Sequence, residues 1–115
     1  MGPKRPGEVL VTGEGAPRAH GPYVLRGRYR VQFEQVDPDD ASQTFADQTT
    51  FVVVAAPAAD QETGAGVVQL VRGAARTGGG VVRLDGRLWI NVGFGDFPYV
   101  VRLTPVSLLK RATPR

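Results

Sequence analysis

From Leu25 to Gln35 the chain alternates strictly. Leu25, Gly27, Tyr29, Val31 and Phe33 hold the odd positions, and Arg26, Arg28, Arg30, Gln32 and Glu34 hold the even ones. A period of two predicts a β-strand with one face on a core and the other in water. The stretch from Gly80 to Thr104 reads as three apolar runs broken at Asp85-Gly86 and Gly95-Asp96. Asp-Gly supplies the positive φ that a type I′ turn needs at both central positions, and a leading Gly suits type II′. These breaks predict two tight hairpins and a three-stranded meander over residues 80–104. In that register Leu84 pairs with Arg87, Arg83 with Leu88, Val82 with Trp89, and Ile90 with both Val81 and Val101. Val81, Leu88, Ile90, Val92, Phe94, Phe97, Tyr99, Val101 and Leu103 then share the core side. Val82, Arg87, Trp89, Asn91, Val100, Arg102 and Thr104 share the other.

The remaining segments are shorter. Glu8 to Thr12 predicts a short edge strand, and Gly13 to Pro22, with three Gly and two Pro, predicts a loop. Thr49 to Ala56 is a β-branched run that is apolar on both faces, as a central strand requires. Pro57 to Gly66 reads as a loop, Val67 to Arg72 as a strand, and Gly73 to Gly80 as a flexible connection. Pro105 to Arg111 fits one helical turn or a final edge strand. No segment carries an apolar stripe at a spacing of three to four over three turns, so long helices are not expected. The fold class is therefore all-β: a small single-domain antiparallel β-sandwich or barrel of six to seven strands. Its expected bounds are 8–111, with a flexible basic tail at 1–7 and a second tail at 112–115.

Composition narrows the function classes. A chain of 115 residues is long enough for one domain with its own core. No run approaches the ~18 apolar residues of a membrane span, and the first residues lack the apolar stretch of a signal peptide. The expected location is cytoplasmic or within an assembled particle. Absent cysteine removes disulfides and thiolate metal sites. The formal charge is +3, and all but Lys4 and Lys110 of the 14 basic residues are arginine. That bias fits GC-rich coding as readily as phosphate contacts.

Catalysis by a nucleophile needs a base and a group that orients the base. The one histidine, His20, lies in the Gly/Pro loop, and Ser42 and Ser107 have no partner in the pattern. No enzyme and no cofactor are expected. Asp37, Asp39 and Asp40, with Asp47, supply oxygen ligands of the kind Ca²⁺ takes, but their order is not that of an EF-hand, and Asp-Pro-Asp-Asp also reads as a turn leaving a strand. The turn is the stronger reading, and no metal site is expected. Thr77 to Gly80 lacks the Lys and Ser/Thr of a phosphate loop.

Two surface features remain. Arg26, Arg28 and Arg30 project from one strand face about 7 Å apart, a row able to track phosphates or to sit solvated beside acids. The expected register sets Trp89 among Val82, Arg87, Asn91, Val100 and Arg102, a mixture of tryptophan, arginine and aliphatics that suits an interface. The first functional expectation is a non-catalytic structural or adaptor subunit of a larger protein assembly, for example a virion or other particle component. It would contact other protein subunits or copies of itself through the Trp89 face. The alternative is a nucleic-acid-binding barrel of oligonucleotide-binding type that uses the arginine row, Arg87 and Trp89.

Overall fold

The computed structural model describes residues 4–35, 51–73, 77–95 and 98–107. Among the described residues six strands form: β1 (Val9–Gly13), β2 (Arg18–Gln35), β3 (Phe51–Ala56), β4 (Val68–Gly73), β5 (Thr77–Phe94) and β6 (Tyr99–Pro105). All pair antiparallel in one sheet of order β1-β6-β2-β5-β3-β4, so the all-β expectation holds. Past β6 the chain turns helical at residues 106–107. The turn expected at Asp37–Asp40, Ser42, Asp47, Asp96, Phe97 and the tail expected at 112–115 lie outside the described residues.

The sheet is organised by a ribbon of two long strands. β2 and β5 each run for 18 residues. A straight strand of that length would span roughly 60 Å, yet the longest dimension of the molecule is 40 Å. The ribbon therefore bends. Its regular ladder is interrupted by a register shift between His20 and Tyr23 and by positive φ at Gly27 (103°) and Gly86 (121°), values that a side chain would resist. Bending brings distant parts of the sheet face to face. Tyr99 pairs with Gln35 at one end of β2, while its hydroxyl lies 2.8 Å from the His20 Nε2 near the other end. Phe51 of β3 packs on both Tyr99 of β6 and Phe33 of β2 with ring centroids 5.5 Å apart. The core fills the space between the two layers.

The odd positions of β2 behave as the alternation predicts. Leu25, Tyr29, Val31 and Phe33 are buried with Val9 and Val11 of β1, Val53 and Ala55 of β3, and Val101 and Leu103 of β6. Each fully buried aliphatic or aromatic side chain is worth about 1.5 to 3 kcal/mol of transfer free energy. β1 is an edge strand as expected. β3 pairs with β5 on one side and β4 on the other, which makes it central.

The expected meander at 80–104 does not form. Asp85-Gly86 makes no turn: β5 passes straight through, with Asp85 opposite Arg26 and Gly86 opposite Leu25. The physical reason lies in Leu84 and in the length of β2. A turn at Asp85-Gly86 would put Leu84 on the face with Arg87 and Trp89, whereas the continuous strand aligns Leu84 with Leu88, Ile90 and Val92. Leu84 is consequently 1% exposed. The same parity sends Val81, expected in the core, outward at 59% exposure, and turns Val82 toward the core. Nor do β5 and β6 pair with each other, because β2 lies between them.

Three further expectations change. The loop at 13–22 ends early, since β2 begins at Arg18. The flexible connection before the meander is strand from Thr77 onward. There the glycines permit close approach: a Cβ at Gly79 would collide with the Val31 carbonyl, and one at Gly78 with the Phe33 ring. Phe94, expected inside, is 64% exposed. Val53 pairs with Val92 but Val52 pairs with Phe94, so Gly93 is an extra residue that rotates Phe94 onto the outer face.

Candidate nucleic-acid interface

The outer face of the β2–β5 ribbon carries a row of arginines on two adjacent strands. Cross-strand partners along it are Val24 and Arg87, Arg26 and Asp85, Arg28 and Arg83, then Arg30 and Val81. Strand parity alone puts all of these side chains on the face away from the core. Arg26, Arg28, Arg83 and Arg87 are exposed. Arg30 is half-buried; its Nη2 donates to the Gln32 Oε1 at 3.2 Å, and its Nε has no hydrogen-bond partner among the described residues. Trp89 follows Arg87 on the same face, half-buried, and pairs with Ala56 of β3. Arg26, Arg28, Arg30, Arg87 and Trp89, named from the sequence, thus share one face. Arg83 joins them. The hairpin register had paired it with Leu88; reading residues 81–92 as one alternating strand would have found it.

Charge along this face is partly compensated, by Asp85 among the arginines and by Glu34 further along β2. Arg28 stands directly opposite Arg83, a like-charge cross-strand pair that costs stability. Asp85 is the acid in their midst. Its Oδ2 lies 2.9 Å from the Arg83 Nε, and its Oδ1 accepts from the Gly27 N–H at 3.3 Å. Both partners of that ion pair are exposed, so it adds little stability. Arg26, Arg28 and Arg83 line a cleft of about 360 Å³ closed on one side by Pro105, Val106 and Ser107.

The six-residue patch expected around Trp89 assembles in part: Arg87 and Asn91 share its face, and Val82, Val100 and Arg102 lie apart from it. Val82 turns inward. Asn91 is on the same face as Trp89 but only 2% exposed, because its Nδ2 donates to the carbonyls of Ala58 (3.0 Å) and Gln61 (2.8 Å) and fastens the 57–67 loop over the sheet. Val100 and Arg102 are on β6, separated from β5 by β2. Arg102, 8% exposed, sits 3.7 Å from the buried Glu8 carboxylate. Glu8 also accepts from the Thr104 hydroxyl at 2.6 Å and from the Arg5 amide at 2.7 Å. Burial pushes the Glu8 pKa up, but the Thr104 and Arg5 hydrogen bonds and the two guanidiniums outweigh it and hold the pKa below 4.5. This cluster staples the segment before β1 to β6.

His20, expected in a loop, lies in β2 with its ring edge-on to Tyr99. Burial, with the nearby Arg18 charge, lowers its pKa from 6.5. Among the described residues no three of His, Cys, Asp and Glu gather where they could hold a metal ion. Among the same residues no helix is long and apolar enough to cross a membrane. Comparison of the chain with protein families, curated proteins and solved structures found no match.

Proposed function

We propose that the chain is a non-catalytic β module that works by contact, and that it holds single-stranded nucleic acid on the outer face of the β2–β5 ribbon. The observation that carries this reading is the register that sets Arg26, Arg28, Arg83 and Arg87 on one exposed face with Trp89 at the end of the row. Guanidiniums spaced along a strand follow a phosphate backbone, and an indole at the end of such a row offers a stacking surface to a base. Asp85 offsets the charge of Arg83, and a phosphate would offset that of Arg28 opposite it. The test is a titration of labelled single-stranded DNA and RNA at several salt concentrations. Affinity should fall with a log-log slope of about −0.7 per phosphate contacted. Changing Arg28, Arg83 and Arg87 together to Ala should flatten that slope; binding that ignores the triple change removes the proposal.

A second reading, a structural or adaptor subunit of a larger protein assembly, is favoured by one observation. Phe94 is largely exposed opposite Val52, beside a groove of about 440 Å³ with a mixed lining that includes Val52, Val54, Val67, Glu62, Gln69 and Arg72. An exposed aromatic side chain beside a concavity is a feature that protein contacts use. Light scattering of the wild type and Phe94→Ser decides it: an assembly dissolved by the change supports this reading, and a monomer in both cases rejects self-assembly.

A further inference from the structure

We infer that the cleft formed by Arg26, Arg28, Arg83 and Ser107 seats a terminal phosphate, a phosphomonoester at the end of the bound strand. The inference rests on the nucleic-acid reading of this face.

The first support is shape. Along the ribbon the exposed Arg87 and the half-buried Trp89 lie outside the cleft, whereas Arg26, Arg28 and Arg83 line one concavity together with Pro105, Val106 and Ser107. A polymer laid along the row can end there. The second is charge. Three guanidiniums face one carboxylate, Asp85, already engaged by Arg83 and by the Gly27 N–H, which leaves two positive charges. A phosphomonoester carries about −1.5 to −2 near pH 7, and a phosphodiester within the strand carries only one negative charge. The monoester is the better match. The third is hydrogen bonding. Arg28 and Arg83 stand opposite each other on adjacent strands and carry forked donors of the kind that match phosphate oxygens, Arg83 with its Nε already on Asp85, and Ser107 brings a hydroxyl to the same lining.

The experiment compares three oligothymidylate strands of one length: 5′-phosphorylated, 3′-phosphorylated and unphosphorylated. One phosphorylated strand should bind about tenfold tighter than the unphosphorylated one, a difference of about 1.4 kcal/mol. Arg28→Gln and Arg83→Gln, each checked for an unchanged melting temperature, should erase that preference. Arg87→Gln, outside the cleft, should weaken all three strands equally. Equal affinity for the three strands, still dependent on Arg28 and Arg87, would overturn the terminal-phosphate inference and leave the reading of the face standing. No binding to any strand would overturn both. A nucleoside monophosphate that binds as tightly as the phosphorylated strand would also overturn it, since the cleft would then need no polymer.

Discussion

The continuity of β5 through Asp85-Gly86 can be tested by a pair of truncations, Leu84→Ala and Val81→Ala. In the continuous strand Leu84 packs in the core against the same layer as Leu88 and Ile90, while Val81 points into solvent. Removing a buried leucine to Cβ costs its transfer free energy plus the cavity left behind, about 2 to 5 kcal/mol. Trimming an exposed valine changes stability by less than about 0.5 kcal/mol. In urea, with a slope of about 1 to 3 kcal/mol per M for a small domain, Leu84→Ala should lower the midpoint by about 1 M or more and Val81→Ala should leave it almost unmoved. A hairpin at Asp85-Gly86 reverses the order, since it buries Val81 and exposes Leu84. A midpoint shift as large for Val81→Ala as for Leu84→Ala would refute the continuous strand.

Three other outcomes follow from the same geometry. Asn91→Ala leaves the Ala58 and Gln61 carbonyls without their donor and should cost about 1 to 3 kcal/mol; proteolysis should quicken within 57–67, and a neutral effect would mean the loop does not depend on the amide. His20 is held neutral, so it contributes stability that is present above 6.5, its ordinary value, and is lost as pH falls through its lower folded-state value. Melting temperature should therefore drop just below pH 6.5 in the wild type and drop less in His20→Gln; equal drops would show that another group titrates there. Glu8 adds a separate loss at lower pH: its contribution is present above 4.5 and disappears as pH falls through its depressed folded-state pKa, so Glu8→Gln should be less stable at neutral pH and flatter below 4.5.

How far the sequence reveals this fold depends on the range over which each signal acts. The alternation in β2 is dense, and it specified both the strand and its buried residues. The β-branched run in β3 likewise marked a strand with neighbours on both sides. Asp-Gly is a strictly local signal. It cannot register that an 18-residue antiparallel partner is present and that burying Leu84 favours passing straight through. Phe94 changes face for a related reason: a one-residue bulge at Gly93 reverses the parity beyond it, and an isolated glycine hints at a bulge without fixing whether one forms. For the interface, the period of two in β2 was enough to line up Arg26, Arg28 and Arg30. Arg83 and the separation of Trp89 from Arg102 depend on which strands are neighbours, and that is settled by the register of the whole sheet.

The central claim is that the arginine row and Trp89 form one binding surface. Trp89 is the sole tryptophan in the chain, so its fluorescence reports on that surface without a label. The most direct measurement is the Trp89 emission of the full chain during titration with unlabelled oligothymidylate at low and at near-physiological salt. The account predicts saturable quenching as a base stacks on the indole, an affinity that falls as salt rises, and loss of the quenching when Arg28, Arg83 and Arg87 are changed to Ala. Emission that stays constant at low salt, or quenching that survives the triple change, would contradict it.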